Sequence, residues 1–283
     1  MSSSTTPLIS VSELARSITD EKTIVLDATV GAAPTDPHIP GAQMADLDGA
    51  WSDHDSPWPH TKPQVPVLEA ELRRLGVHAD SHVVIYERNE LFAAPRIWWL
   101  LKAFGFDNVS ILDGGLLAWE NAHLPTTTEP TASRDKGTVS LNPRDDMIID
   151  EEAVCQHLAA QDRRILDARS TARFEGREAE PRPHLRSGHI PTSGSVPYTS
   201  LQRDGWILSD EELQRILGPL IDERPIVTSC GSGVTACVIA LALDIIGRKD
   251  VAVYDGSWAQ WGREDGPEIA TGPEKTVSAH EES

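Results

Sequence analysis

Cys230 ends an apolar run, Pro225-Ile-Val-Thr-Ser229, and is followed by Gly231, Ser232, Gly233, Val234 and Thr235, then by a run as far as Gly247 that is apolar except for Asp244. Strand, cysteine, glycine-bearing loop, helix: this order predicts a loop that turns successive backbone N–H groups inward with a helix N-terminus behind them. Such a loop stabilises an anion at its centre and favours the nucleophilic thiolate over the inert thiol. Cys155 and Cys237 lie within helical patterns and read as small buried hydrophobes. Three cysteines are too few for a disulfide framework and lack the paired spacing of a zinc site, so a reducing compartment, no metal and no cofactor are expected. The stretch from Asp167 to Pro191 is rich in arginine, whose planar fork meets a carboxylate with two parallel hydrogen bonds. Within it, Arg177 and Arg186 read as solvated surface residues.

The elements that must position these groups are written twice. Leu8 to Ala28 resembles Met147 to Ala168: an apolar pair, a cap residue, a helix, and a short strand ending in Leu-Asp-Ala. Ser10 with Glu13 forms a capping box, and Asp150 is the matching N-cap. Each copy then has a His-Ile-Pro, at His38 and His189, an apolar strand closed by Tyr86 or Thr228, a long apolar helix, and an Asp-Gly within Ile111 to Trp119 or Val253 to Trp261. Strands alternating with helices predict two α/β units, each a mainly parallel sheet flanked by helices. The units are taken as 1–125 and 147–283, joined by a linker at 126–146 rich in Thr, Pro, Ser and charge, with 273–283 as a frayed tail. Against 44 acidic residues there are 25 Lys and Arg, a net charge of -19, which argues against nucleic-acid or anionic-membrane partners. The N-terminus has no basic segment followed by an apolar one, so a cytoplasmic location is expected.

The two-fold repeat with its His-Ile-Pro motifs, the Cys-Gly-Ser-Gly-Val-Thr loop and the Asp-Gly-Ser-Trp-Ala-x-Trp-Gly tail together resemble the tandem rhodanese-like sulfurtransferases, from about Leu8 to about Gly272. The resemblance implies that Cys230 carries sulfur as a persulfide, cradled by the loop residues Gly231, Gly233, Val234 and Thr235. The loop is most similar to that of the 3-mercaptopyruvate-using branch, whereas thiosulfate-using relatives tend to carry basic residues after the cysteine. It implies Arg173 and Arg182, nine residues apart, as the substrate-binding pair, although this chain has Ser-Gly-His-Ile-Pro-Thr at 187–192 where the family has Pro-Gly-His-Ile-Pro-Gly. It also implies a relay in which Asp48 and His60 of the first copy join Ser232, with one residue more between them than in the family pattern and His54 as a local competitor. The first copy has Arg88 at the cysteine position and is expected to be catalytically silent.

The reading that follows is a double displacement: the sulfur donor loads Cys230 and releases pyruvate, and a thiol acceptor such as thioredoxin or a small thiol, or cyanide, then takes the sulfur. A thiosulfate sulfurtransferase is the nearest alternative. A non-catalytic rhodanese-like interaction module is expected to have lost its loop cysteine. A phosphatase of the same superfamily needs an arginine six residues after the cysteine, where Ala236 stands.

Overall fold

The structure, a computed structural model, describes residues 7–273; of the tail expected at 273–283, residues 274–283 lie outside it. Strands β1 (Leu8–Ile9), β2 (Thr23–Asp27), β3 (Gln43–Met44), β4 (His82–Tyr86) and β5 (Val109–Leu112) form a parallel sheet in the order β1-β5-β4-β2-β3. The second half repeats it with β6 (Ile148–Ile149), β7 (Arg164–Asp167), β8 (Gly194–Ser195), β11 (Ile226–Ser229) and β12 (Val251–Tyr254), in the order β6-β12-β11-β7-β8. Equivalent strands are the near-continuous apolar runs that a sheet covered on both faces requires. A separate hairpin, β9 (Gln202–Arg203) with β10 (Trp206–Ile207), is antiparallel.

Helix starts follow local chemistry. Helix α1 (Val11–Ser17) has the expected Ser10 and Glu13 capping box, and α5 (Glu151–Ala160) is capped by Asp150. Helices α2 (Val65–Arg74) and α3 (Ala94–Ala103) begin with proline in the first turn, where a missing N–H costs nothing. After α4 (Gly115–Asn121) come the short α6 (Thr171–Phe174), α7 (Asp210–Leu217), α8 (Ala236–Ile245) and α9 (Ser257–Trp261). Helix α8 starts two residues later than the Val234 its pattern suggests, because Gly233 takes a left-handed turn at φ +76° and Thr235 becomes the cap.

Helices α3 and α8 are apolar on every side, and all of α3 except Lys102 and all of α8 except Ile245 is buried. A helix of that kind needs cover on both faces. One face is taken by its own sheet and the other by the partner helix, and a single apolar cluster runs through both units. The stretch 126–146 contains no helix or strand but lies along the first unit: Thr127 pairs with His38, Gly137 N–H donates to the Arg73 carbonyl, and Val139 is buried beside Val77.

Each unit also covers the strand-to-helix loop of the other. Residues 48–62 of the first reach the loop of Cys230. Reciprocally, Gln202 at the hairpin clamps the first unit's loop, accepting from Leu91 N–H (2.6 Å) and donating to the Leu91 carbonyl (2.8 Å).

Candidate active site

The carboxyl ends of the parallel strands present the chemistry, as the topology of open α/β sheets leads one to expect. Cys230 follows β11 and is 1 % exposed. Its N–H donates to Ser257 Oγ, and its carbonyl accepts from Trp258 N–H, so the Asp-Gly-Ser-Trp motif holds the base of the loop. The N–H groups of Gly231, Ser232, Gly233, Val234 and Thr235 meet no acceptor among the described residues, which leaves them available to an anion on the cysteine. Gly233 is required twice: its φ is left-handed, and a Cβ there would lie 2.8 Å from the Asp255 carbonyl oxygen.

Two arginines flank Gly231. A Cβ on that glycine would stand 3.4 Å from Arg173 Nη2 and 3.7 Å from Arg182 Nη1. Arg173 sits on α6, whose Phe174 is stacked on His189 of the His-Ile-Pro motif and whose Phe174 carbonyl lies 2.8 Å from His189 Nδ1. Its Nη2 also donates to Glu180 Oε2 at 2.5 Å. Glu180, with a side chain 2 % exposed, binds Arg169 Nη1 as well (2.8 Å), and Arg169 in turn is forked onto Asp167 and lies over the Trp258 ring. The chain Asp167, Arg169, Glu180, Arg173 is thus internally neutral. Arg182 meets no carboxylate among the described residues.

From the first unit, His60 Nδ1 lies 2.9 Å from Ser232 Oγ and His60 Nε2 lies 3.1 Å from Asp48 Oδ1. One tautomer satisfies both contacts, with Nε2–H donating to the carboxylate and Nδ1 accepting from the hydroxyl. Burial lowers the His60 pKa; Asp48 opposes this, and the charges of Arg182 and Arg96 add to it. A cavity of about 440 Å³ opens here, lined by Asp48, Trp58, His60 and Arg182 among others. His54 instead turns Nε2 to the Gly49 carbonyl.

A larger cavity, about 720 Å³, lies beside the corresponding loop of the first unit, where Arg88 stands at the position of Cys230. That loop is already filled. The Glu87 carboxylate accepts from the N–H groups of Phe92, Ala93 and Ala94 at 2.7–3.2 Å. These residues occupy the places of Val234, Thr235 and Ala236.

Two expectations need correction. Cys155 is exposed, because on α5 the buried position is its neighbour Val154. Arg186 is not a solvated surface group: it is part-buried, and its Nη2 donates to the carbonyls of Trp261 and Pro267, tying the end of α9 and the segment after it to the arginine-rich loop. Arg177 is exposed and pairs with Glu175. Sequence reasoning also passed over Arg169, Glu180, Glu87, Arg96 and Asp255. Glu180 was visible as the Glu of Glu-Pro-Arg, and Asp255 as the Asp of the repeated Asp-Gly; the buried Arg96, in the first turn of an apolar helix, was a charge whose position called for a partner.

The rhodanese-like domain model matches residues 10–122 and again 151–264. The 3-mercaptopyruvate sulfurtransferase of Escherichia coli K12 is 38% identical over 274 residues, covering 92% of this chain and 96% of the relative. The thiosulfate sulfurtransferase of Mus musculus is 36% identical over 251 residues, covering 86% and 83%. Among solved structures, that of SseA from Escherichia coli, described as a 3-mercaptopyruvate sulfotransferase with the rhodanese fold, superposes with a TM-score of 0.80 at 36% identity over 90% of this chain and 99% of that one. Tum1 of Saccharomyces cerevisiae gives a TM-score of 0.84 at 30% identity, over 95% and 98%. With a repeated fold, a cysteine loop in one copy and these relatives over nearly its whole length, the chain belongs to the rhodanese-like family as a tandem of two such domains.

Proposed function

We propose that the protein is a sulfurtransferase that takes sulfur from 3-mercaptopyruvate onto Cys230 and passes it to a thiol acceptor. The Cys230 thiolate attacks the donor sulfur, the C–S bond breaks toward carbon, and the leaving group is the enolate of pyruvate. The donor's S–H proton ends on the methyl carbon of pyruvate, leaving Cys230 as a persulfide anion among the loop N–H groups. In the second half an acceptor thiolate, from thioredoxin or a small thiol, attacks the outer sulfur and the Cys230 thiolate leaves; cyanide serves the same role in an assay.

The contact between His60 and Ser232 carries the choice of donor. Moving a proton from sulfur to carbon needs a group that can accept and return it, and a neutral imidazole behind a hydroxyl is such a group. Thiosulfate releases sulfite as an anion and has no such proton to move. Charge points the same way. Arg173 is compensated by Glu180 while Arg182 is not, which suits a monocarboxylate better than a dianion. The first domain contributes His60 and Asp48 and no chemistry of its own, a reading supported by Arg88 at the cysteine position and by the Glu87 carboxylate in the place of the anion. The three free cysteines suit a reducing compartment such as the cytoplasm, and no described helix is long and apolar enough to cross a membrane.

The test is steady-state kinetics with both donors on the wild type, Cys230→Ser and Arg182→Ala. Cys230→Ser is expected to lose all transfer, and Arg182→Ala to lose about 10²-fold in kcat/KM for 3-mercaptopyruvate, as for one charge-assisted carboxylate contact. A wild type that prefers thiosulfate rejects the donor assignment, and activity in Cys230→Ser rejects the mechanism.

A further inference from the structure

Arg96 is 0 % exposed, lies on α3 of the domain without the cysteine, and is aimed out of that domain. Its Nη2 donates to the backbone carbonyl of His60 at 2.8 Å and to Asp255 Oδ1 at 2.6 Å. Asp255 is the residue after β12 in the cysteine domain, and its Oδ2 accepts from Lys62 N–H at 2.8 Å. One ion pair thus holds the backbone on both sides of Thr61. His60 needs holding, because its φ is +59°, a left-handed conformation uncommon for a residue with a side chain.

The other face of the guanidinium points at the cysteine loop. Nη1 would be 3.5 Å from a Cβ on Gly233, and apart from an interaction of the guanidinium with the Cys237 thiol, Nη1 and Nε have no hydrogen-bond acceptor among the described residues. Its charge acts on the neighbouring thiol of Cys237, which burial pushes up to about 12 and Arg96 draws back down. Asp255 offsets part of this charge, and the part it leaves adds to the field of the loop N–H groups with less screening by water than a surface charge would suffer.

We infer that Arg96 is a positioning residue for sulfur transfer: it fixes His60 against Ser232 through the His60 carbonyl and places a buried positive charge behind the loop that carries Cys230. The inference rests on the proposed sulfurtransferase reading. It assigns the first domain an electrostatic share in the site as well as the relay.

The two parts of the role separate by substitution in the full-length protein. Arg96→Lys keeps the charge but offers no planar fork to reach both acceptors; Arg96→Met removes the charge and keeps the bulk. With thermal unfolding used to confirm a folded state, Arg96→Lys is expected to lose about 10²-fold in kcat for 3-mercaptopyruvate with KM within about twofold of wild type, as for a misplaced catalytic group. Alkylation of Cys230 by iodoacetamide at pH 7, followed at its own peptide by mass spectrometry, is expected to stay near wild type in Arg96→Lys and to slow about tenfold in Arg96→Met, the effect of losing one nearby cation. A merely structural arginine would lower the melting temperature and leave kcat and alkylation unchanged, and that result overturns the inference. Should Arg96→Met fail to fold, the kcat and KM of Arg96→Lys decide alone. The alkylation arm needs no sulfur donor, so it reads on Arg96 even if 3-mercaptopyruvate proves not to be the substrate.

Discussion

At the scale of single residues, His60 joins the two halves of the site, with Ser232 on one ring nitrogen and Asp48 on the other. The two contacts are unequal in kind. The Asp48 side chain is 67% exposed, so its pull on the ring is screened by water, whereas the Ser232 hydroxyl is buried. His60→Ala is therefore expected to lower kcat for 3-mercaptopyruvate by about 10²-fold or more, the usual worth of a positioned acid-base group, and Asp48→Asn by much less. Thiosulfate turnover by the same variants should stay within a few-fold of wild type, which parallel assays of the two donors will show. The pH dependence follows from the depressed pKa of His60. The ring is neutral at pH 7 and becomes protonated only as pH falls through a value below the ordinary 6.5 or so. Below that point Nδ1 no longer accepts from Ser232, so an acid limb is expected in kcat for 3-mercaptopyruvate and is absent for thiosulfate.

At the scale of elements, the two strand-to-helix loops occupy equivalent places in the repeat and do opposite things. In the second, the N–H groups are left open beside Cys230; in the first, the Glu87 carboxyl group accepts from them. Burial pushes the Glu87 carboxyl up to about 7, against the pull of those three donors. A folded-state value above the unfolded one means that the folded protein binds the proton more tightly, so Glu87 makes stability fall as pH rises from about 4.5 to about 7. Glu87→Gln removes that slope, and its stability relative to wild type, from urea unfolding at pH 5 and pH 8, is expected to be more favourable at the higher pH. These loops also show what the sequence made legible. The repeat, the strands, the caps and the cysteine loop are local patterns and could be read directly. The neutral chain through Glu180 and the pairing of Arg96 with Asp255 could not, because their partners lie 159 positions apart in one case and along an irregular loop in the other. Arg96 read as one letter in an apolar helix, and nothing next to it in the chain records that its partner is in the other domain.

At the scale of the whole molecule, α3 and α8 make the boundary between the domains a continuation of both cores. Domains that meet through a large apolar surface do not unfold independently. Calorimetry is expected to give a single transition, and the separate fragment 147–273 to be unfolded or aggregated; two resolved transitions would show that the apolar contact is weaker than its burial implies. The reciprocal covering of loops extends this dependence to the site, since Cys230 and His60 lie 170 residues apart on different copies of one repeat. For heredity this has a plain meaning. A lesion in the half without a cysteine should be as disabling as one in the half that has it. The two halves should also fail to complement each other when each is damaged in a different molecule, because no working site can be put together from one intact half alone.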